Sequence, residues 1–289
     1  MNHKNNVLTI AGSDSSGGAG IQADIKTFEA LNVYSASVIT SVTAQNTLGV
    51  QQVFDLPDEI IAAQLESVLT DINFTAVKIG MLKKTSYIEI VSEFLKQYSP
   101  FVILDPVMIS SSGHRLMDED AISTMTNKLF PLTHLITPNI PEAAKLLDCD
   151  TSWIEQNLKE ACKQLLTKYN LKAVLLKGGH LSGNICEDTL AQLAICLDEA
   201  NNAQTESILF NSYKYPKINT KHSHGTGCTL SSAIAANIAN GQPLEMATKL
   251  AGKFLQYALN SSNLQHVGNG TGPLNHHSAA LRATSTGKD

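Results

Sequence analysis

The sequence predicts an α/β protein in which helices cover both faces of a mostly parallel central sheet. Apolar runs of strand length alternate with stretches of helical periodicity from one end of the chain to the other. The strand-like runs are apolar at nearly every position, as expected when helices bury a parallel strand from both sides. The sequence shows neither a linker-like segment nor an internal repeat, so we expect a single domain over residues 1–289 whose tail frays after about residue 273.

Strand and helix patterns follow one another along the chain. Val7–Ala11 is a continuous apolar run, and helical spacing follows over Ile21–Leu31. Ala36–Val42 is rich in β-branched residues, and Pro57 stands where a helix can begin. Later strands are predicted at Val50–Leu56, Ala76–Ile79, Phe101–Leu104, His134–Ile136, Ala173–Leu176, Thr189–Ile195 and Ser207–Phe210. Later helices are predicted near Tyr87–Tyr98, Asp118–Phe130, Pro141–Leu147, Trp153–Tyr169, Cys228–Asn240 and Leu244–Asn260.

Composition excludes several classes of protein. With 43% apolar and 16% charged residues among 289, the chain is long enough for a large core and is not typical of a disordered protein. The formal net charge of -5 gives no electrostatic footprint for nucleic acid, and no basic or apolar run indicates a membrane segment. The five cysteines contain no C-x-x-C pair and their number is odd, so we expect a reduced, cytoplasmic protein.

The segment His222–Thr229 points to an anion site. Gly225 and Gly227 stand one residue apart just before Leu230–Ala239, a small apolar run with the character of a helix. Glycine lets a backbone approach an anion closely, and the first N–H groups of a helix carry partial positive charge without an internal partner. Cys228 lies in the mouth of this cradle, where we expect the helix N-terminus to lower its thiol pKa. The pattern indicates phosphate transfer, although most such glycine turns are only tight turns.

Polar side chains end several of the predicted strands, at the sheet edge where open α/β folds bind ligands. Asn139 and Glu142 are three residues apart at a helix start, where an amide and a carboxylate suit Mg²⁺ or form a helix cap. Lys177 ends a strand before two glycines, and its ammonium could contact a phosphate or extend into solvent. Asp105 precedes Pro106 at another strand end, where its carboxylate could hold a metal or cap a turn.

Two further residues suit recognition of a flat heteroaromatic ring. The Gln45 amide can both donate to and accept from such a ring, and Met81 can pack against its face. Each of these is more often an ordinary structural residue. The glycine-rich loop Gly12–Gly20 lacks the Rossmann fingerprint, and no Gly-Lys-Ser/Thr sequence marks a Walker loop.

Together these residues resemble the hydroxymethylpyrimidine/phosphomethylpyrimidine kinases of thiamine biosynthesis, in the ribokinase-like superfamily. The resemblance covers roughly Val7 to Pro273, and the combination of blocks is specific although each block alone is weak. The matching blocks are Ala11–Asp24, Ala44–Thr47, Lys78–Leu82, Asp105–Met108, Thr137–Ala143, Lys177–His180 and His224–Thr229. The fold that the resemblance implies is the ribokinase-like three-layer α/β/α sandwich with a mostly parallel central sheet.

The resemblance implies ATP-dependent phosphorylation of 4-amino-5-hydroxymethyl-2-methylpyrimidine to its monophosphate and then to its diphosphate. In the implied substrate pocket, the aminopyrimidine is held by Gln45, with Gly12, Met81, Val107 and His224 around it. In the implied nucleotide site, ATP is approached by Lys177 and Asn139, and Mg²⁺ with its waters is organised by Glu142, Asn139 and Asp105. The implied anion hole, close to the attacking hydroxyl, consists of Gly225, Thr226, Gly227 and Cys228.

The resemblance also leaves alternatives open. Sugar kinases of the superfamily carry an aspartate base where Cys228 stands, so the cysteine is either a general base or a positioning group. A related branch phosphorylates pyridoxal with a cysteine and a nearby histidine, which Cys228 and His224 match, so pyridoxal kinase is the alternative activity. A binding-only pyrimidine sensor would lack metal or anion-hole residues, and all are present. The family implies a homodimer, and we expect no nucleic-acid or membrane partner.

Overall fold

Strands and helices alternate along the structure, a computed structural model that describes residues 5–98, 100–108, 117–179, 183–198 and 203–285. The strands of these residues are β1 (Asn6–Asp14), β2 (Tyr34–Asn46), β3 (Gly49–Asp55), β4 (Ala76–Ile79), β5 (Phe101–Leu104), β6 (Leu135–Ile136), β7 (Ala173–Leu176), β8 (Ile185–Asp198) and β9 (Ala203–Pro216). The α-helices are α1 (Gly20–Ala30), α2 (Asp58–Leu69), α3 (Thr85–Tyr98), α4 (Glu119–Thr124), α5 (Ile140–Leu147), α6 (Thr151–Gln156), α7 (Leu158–Tyr169), α8 (Thr226–Ala239), α9 (Leu244–Asn260) and α10 (His276–Ser285).

The nine strands of the described residues form one sheet in the order β3-β2-β1-β4-β5-β6-β7-β8-β9. Strands β2, β1, β4, β5, β6 and β7 run parallel to one another. At one edge β3 pairs antiparallel with β2, and at the other edge β8 pairs antiparallel with both β7 and β9. The prediction of a mostly parallel sheet is therefore confirmed. Because parallel strands end at the same edge, the polar residues that follow β1, β5, β6 and β7 meet along one edge of the sheet.

Apolar side chains fill both faces of the sheet and so make three layers. Successive residues of a strand point to opposite faces: Leu8 and Ile10 of β1 join the core under α2, α3, α5 and α7, while Val7 joins the core under α1, α8 and α9. The fully buried Ala233 and Ala236 of α8 have small side chains that let this helix lie close to the sheet. Within the described residues, no helix has both the length and the apolar character needed to cross a membrane.

Two predicted helices are interrupted in the structure. The helix predicted over Trp153–Tyr169 is two helices, α6 and α7, because Asn157 between them takes a non-helical backbone with φ of −134° and ψ of 44°. The helix predicted over Asp118–Phe130 begins as α4 and continues as a π-helical turn at Met125–Leu129. The last two predicted strands are parts of β8 and β9, which pair with each other along their full length.

Within the described residues, the segment after Pro273, where we expected fraying, has buried side chains between Leu274 and Ala279 and is helical as far as Ser285. Leu274 is 2% exposed and joins the core under α8 and α9, and α10 continues to Ser285. His276 Nε2 lies 2.9 Å from Thr229 Oγ1 of α8, and both side chains are buried. The polar composition of this segment gave no sign of its apolar anchor or of the long-range hydrogen bond between His276 and Thr229.

Acid should weaken this anchor through His276. Burial, followed by the charge of Lys26, lowers the pKa of His276 to about 4, so the imidazole is neutral in the fold at neutral pH. The unfolded chain binds a proton near the ordinary pKa of 6.5, so this contribution to stability is complete above that pH and is lost as the pH falls towards 4. We expect the loss from this group to be about 3 kcal/mol in the free energy of unfolding.

Urea unfolding at several pH values measures this dependence in His276→Asn and in the matched control His277→Asn, whose side chain is exposed. The first variant should lose much of the decline in stability below pH 6.5, while the control should follow the wild type. Parallel curves for all three proteins would contradict the prediction.

Candidate active site

The glycine-rich loop after β1 and the N-terminus of α8 are in direct contact. Gly225, the N-cap of α8, has a φ of +88°, and a Cβ there would overlap the carbonyl of Gly18. Gly20 has a φ of +55°, and a Cβ there would overlap the carbonyl of Gly12. Both positions therefore require glycine for backbone conformation and for close approach. Together the two segments form one wall of the candidate site.

The start of α8 has the geometry of an anion cradle. The Gly225 carbonyl accepts the first bond of the helix, from Thr229 N at 2.9 Å. Gly227 and Cys228 lie in the first turn, where N–H groups have no partner within the helix and point along the positive end of its dipole. A Cβ on Gly227 would lie 3.2 Å from Asp105 Oδ2 and 3.5 Å from Lys177 Nζ. The helix start therefore opens towards the ends of β5 and β7.

The environment of Cys228 corrects one expectation from the sequence. We expected the helix N-terminus to lower the thiol pKa, but burial raises it, and the nearby carboxylates of Asp24 and Asp105 add to that effect. The charge of Lys78 opposes the increase without cancelling it. In this structure the thiol, rather than the thiolate, is the favoured form near neutral pH.

Asp105 and Lys177 form a largely buried ion pair beside the α8 N-terminus. Lys177 Nζ donates to Asp105 Oδ1 at 2.7 Å, with the lysine side chain 14% and the aspartate side chain 2% exposed. Thr137 Oγ1 donates to the same oxygen at 3.1 Å. Burial alone would lower the pKa of Lys177, but Asp105 and then Glu142 raise it above its ordinary value. The ammonium therefore keeps its charge at a strand end, where a phosphate could meet it.

Asn139 and Glu142 form a capping box at the start of α5. Glu142 N donates to Asn139 Oδ1 and Asn139 N donates to Glu142 Oε2, each at 2.8 Å. Glu142 is nearly fully buried, and burial, with help from Asp105 and against Lys177, raises its pKa to about 7. The cap that the spacing indicated is thus present, and its carboxylate also faces the Asp105–Lys177 pair.

The donor set at this edge suits a hard cation only in part. Asp105 and Glu142 are two buried carboxylates, and the charge of Asp105 helps to raise the pKa of Glu142; a bound Mg²⁺ would offset this repulsion. The Asn139 amide oxygen already accepts within the cap. The described residues contain no group of three or more His, Cys, Asp or Glu side chains placed to hold a metal. A metal here would therefore rely on two carboxylates, waters and its ligand's own oxygens.

The residues predicted to surround a substrate lie in three places. Gln45, in the last part of β2, has its amide nitrogen 3.0 Å from His224 Nε2. A Cβ on Gly12 would lie 3.0 Å from Met81 Cε, so these two residues are in contact. Val107 N donates to the Asp105 carbonyl at 2.8 Å, which places Val107 beside the ion pair. His180, at the end of the block that begins with Lys177, lies outside the described residues.

Sequence reasoning gave no role to a buried cluster directly behind the cradle. Lys78 Nζ donates to both carboxylate oxygens of Asp24, at 2.9 and 2.8 Å, and both side chains are 0% exposed. Thr9 Oγ1 and Ser232 Oγ donate to the same carboxylate at 2.6 and 2.7 Å. A lysine inside the otherwise apolar strand Ala76–Ile79 was the available signal, because such a residue needs a buried partner.

Asp14 is a second residue that received no role. Its carboxylate accepts from Ser16 N at 2.9 Å, Ala19 N at 2.8 Å and Gly18 N at 3.1 Å, and it lies 2.9 Å from His224 Nε2. Burial by itself raises the pKa of Asp14, yet the hydrogen bonds from His224, Ser16 and Ala19 hold it well below its usual range. A carboxylate that remains ionised therefore organises the loop next to Gln45.

The fold and this site place the chain among the ribokinase-like kinases. A family profile described as phosphomethylpyrimidine kinase matches residues 14–275. The hydroxymethylpyrimidine/phosphomethylpyrimidine kinase of Haemophilus influenzae is 43% identical over 281 residues, which cover 96% of this chain and 98% of that protein. The chain belongs to the phosphomethylpyrimidine kinase family.

Two solved structures share the fold. The phosphomethylpyrimidine kinase of Clostridium difficile has a TM-score of 0.71 and 40% identity, covering 88% of this chain and 98% of that one. The pyridoxal kinase of Staphylococcus aureus, in complex with AMP-PCP and pyridoxal, has a TM-score of 0.80 and 28% identity, covering 96% and 95%. Sequence identity is higher to the phosphomethylpyrimidine kinase, whereas the TM-score is higher to the pyridoxal kinase. The chain is a kinase, which sets aside the binding-only alternative.

Breaking the buried Lys78–Asp24 pair should destabilise the fold strongly. In Lys78→Met the Asp24 carboxylate remains buried without its cation, so we expect a loss of about 3–5 kcal/mol in the free energy of unfolding. The matched control Lys128→Met breaks a pair with Glu89 in which both side chains are about half exposed, and it should cost less than about 1 kcal/mol. Urea unfolding of both variants measures the difference, and equal losses would show that the buried pair has no special role.

Proposed function

We propose that this chain transfers a phosphoryl group from ATP to 4-amino-5-hydroxymethyl-2-methylpyrimidine and then to the resulting monophosphate, in thiamine biosynthesis. The observation that carries the proposal is the contact of the α8 N-terminus with the Asp105–Lys177 pair on one side and, through His224, with Gln45 on the other. An anion cradle, a charged lysine and a side-chain amide are the parts that a kinase of a small heteroaromatic alcohol needs.

The proposed substrate pocket lies between the loop after β1 and the end of β2. The Gln45 amide would accept from the exocyclic amine and donate to the neighbouring ring nitrogen. Met81, in contact with Gly12, would pack against the ring face, and Val107 would close the side next to Asp105. His224 would contact the substrate from the α8 side, where it already meets Gln45.

The proposed ATP site lies on the other side of the α8 N-terminus. Lys177 would place its charge on the phosphates, and Asn139 lies beside it because the two residues form a parallel bridge. Asp105 and Glu142, with Asn139 next to them, would hold Mg²⁺ largely through waters. When bound, the metal would neutralise charge on the phosphate oxygens.

Catalysis in this proposal depends on positioning and electrostatics. The backbone of Gly225, Thr226, Gly227 and Cys228 would bind the oxygens of the transferred group, whose transition state is loose and highly charged. The thiol of Cys228 would position the attacking hydroxyl, since burial opposes formation of the thiolate that a strong base requires. Lys177 would reach the same group from the end of β7.

We also propose that the chain acts as a single-domain homodimer in the cytoplasm. All four cysteines whose side chains the structure describes are free, which fits a reducing compartment. Leu48 and Phe54, at the β2–β3 edge, are 71% and 62% exposed, and apolar residues so exposed fit a subunit contact.

Turnover with Mg²⁺-ATP tests the function directly. We expect mass spectrometry to show the monophosphate and then the diphosphate of the aminopyrimidine, with pyridoxal used at least about tenfold less efficiently in kcat/KM. Lys177→Met should reduce turnover by about 10²-fold or more, since it removes the phosphate-facing charge, while Lys128→Met should match the wild type. Preferred use of pyridoxal would replace the proposed substrate, and absence of turnover with both compounds would refute the proposal.

A methyl group at position 227 tests the anion hole. Gly227→Ala should reduce kcat by about 10²-fold, because its Cβ would lie only 3.2 Å from Asp105 Oδ2 where a phosphate must approach. The midpoint of thermal unfolding should not fall, since alanine is favoured over glycine within a helix. Cys228→Ser should stay within about tenfold of the wild type if the thiol only positions the hydroxyl, whereas a loss of about 10²–10⁴ would assign it the base role.

A further inference from the structure

The hydrogen bonds around Gln45 define the orientation of its amide. Two groups flank the amide: His224 Nε2 lies 3.0 Å from Gln45 Nε2, and Thr43 Oγ1 lies 3.2 Å from Gln45 Oε1. Each flanking group also has a second partner. His224 Nε2 is 2.9 Å from Asp14 Oδ2, and Thr43 Oγ1 donates to the Ser13 carbonyl at 3.0 Å.

On the histidine side, the proton must lie between His224 and Asp14. The Asp14 carboxylate accepts three backbone N–H groups and is ionised, so it can only accept from the ring. His224 Nε2 must therefore carry a hydrogen and cannot accept one from Gln45. An amide N–H that faced this nitrogen would meet another donor, whereas the amide oxygen can share the Nε2–H with Asp14, so the amide atom that faces His224 is the oxygen.

On the threonine side, the same conclusion follows independently. Thr43 has one hydroxyl proton, and the Ser13 carbonyl at 3.0 Å is closer to Thr43 Oγ1 than Gln45 Oε1 is at 3.2 Å, so we place the proton on the carbonyl side. The threonine oxygen is then left as an acceptor towards Gln45, so the amide atom that faces Thr43 must be the nitrogen. Turning the amide by 180° exchanges its two ends, so that the amide oxygen faces the Nε2–H of His224 and the amide nitrogen faces the Thr43 oxygen.

We propose that Asp14, acting through His224, and Thr43 lock the Gln45 amide with Oε1 towards His224 and Nε2 towards Thr43, and that this lock selects the hydrogen-bonding pattern of the heteroaromatic ring the enzyme accepts. The inference rests on the proposed function, in which Gln45 contacts the ring. Asp14, His224 and Thr43 are thereby specificity-determining residues, and Asp14 and Thr43 act by positioning Gln45.

The lock has a direct consequence for the substrate. A fixed amide presents one acceptor and one donor in a set order, which matches an exocyclic amine beside an unprotonated ring nitrogen. A 4-oxo pyrimidine presents the reverse order, with a carbonyl acceptor beside a ring N–H donor. An amide that turns freely could pair with either ring. With the 4-oxo ring, a locked amide places its oxygen against the ring carbonyl and its N–H against the ring N–H. Such mispaired buried polar groups are strongly disfavoured.

The test compares kcat/KM for the 4-amino compound and its 4-oxo analogue in the wild type and three variants. His224→Phe removes the donor that holds Oε1, so we expect the preference for the amino compound to fall by about 10- to 100-fold, mainly through KM. Thr43→Val nearly preserves side-chain shape and should lower the preference by about three- to tenfold. Ser16→Ala is the matched control, because it removes the 2.7 Å bond from Ser16 Oγ to Asp14 Oδ1 and leaves the oxygen that faces His224; its preference should stay within about twofold of the wild type.

Equal losses on both substrates in His224→Phe and Thr43→Val, with the preference unchanged, would overturn the lock while leaving the proposed function intact. A wild type that does not phosphorylate the 4-amino compound would instead overturn the proposed function. Nitrogen-15 NMR of the His224 imidazole, assigned by comparison with His224→Phe, tests the lock without any measurement of turnover. The Nε2–H tautomer supports it, and the Nδ1–H tautomer contradicts it.

Discussion

The buried ion pair between Lys78 and Asp24 is the constraint on which the site depends. An isolated charge at either position would be far too costly to bury, so the pair forms only when every donor and acceptor is in place. The Asp24 carboxylate, on α1, accepts from Lys78 of β4, Thr9 of β1 and Ser232 of α8. Because these four elements meet at one carboxylate, α8 can lie on the sheet in only one register, and its first turn is fixed where β5 and β7 end.

The parallel sheet by itself brings together the polar side chains that follow its strands. Asp105 follows β5, Thr137 follows β6 and Lys177 follows β7, so the ends of three neighbouring strands place Thr137 and Lys177 within hydrogen-bond distance of Asp105. Glycine at position 227 lets the α8 backbone approach this trio without a side chain between them. The anion cradle and the Asp105–Lys177 pair face each other because the strand order fixes where β5 and β7 end, and the bond from Ser232 to Asp24 fixes where α8 begins.

Local patterns in the sequence predicted the strands, the helix start at α8 and the cap at α5, because each depends on residues close together in the chain. The interruption at Asn157 was missed, since the apolar spacing continues through it. The packing of His276 on Thr229 and the Asp24–Lys78–Ser232 cluster were also missed. Asp24 lies 54 residues from Lys78 and 208 from Ser232, so no local pattern connects them. A lysine within a buried strand shows that a partner exists but not which residue it is.

The protonated thiol of Cys228 is consistent with this arrangement. A thiolate at the start of α8 would itself occupy the positive end of the helix and compete with phosphate oxygens for the free N–H groups of the first turn. Burial and the carboxylates of Asp24 and Asp105 keep the thiol neutral, and the charge of Lys78 is already neutralised by Asp24. The helix N-terminus thus keeps its positive electrostatic potential for a ligand. A loose, highly charged transition state is stabilised by such a potential.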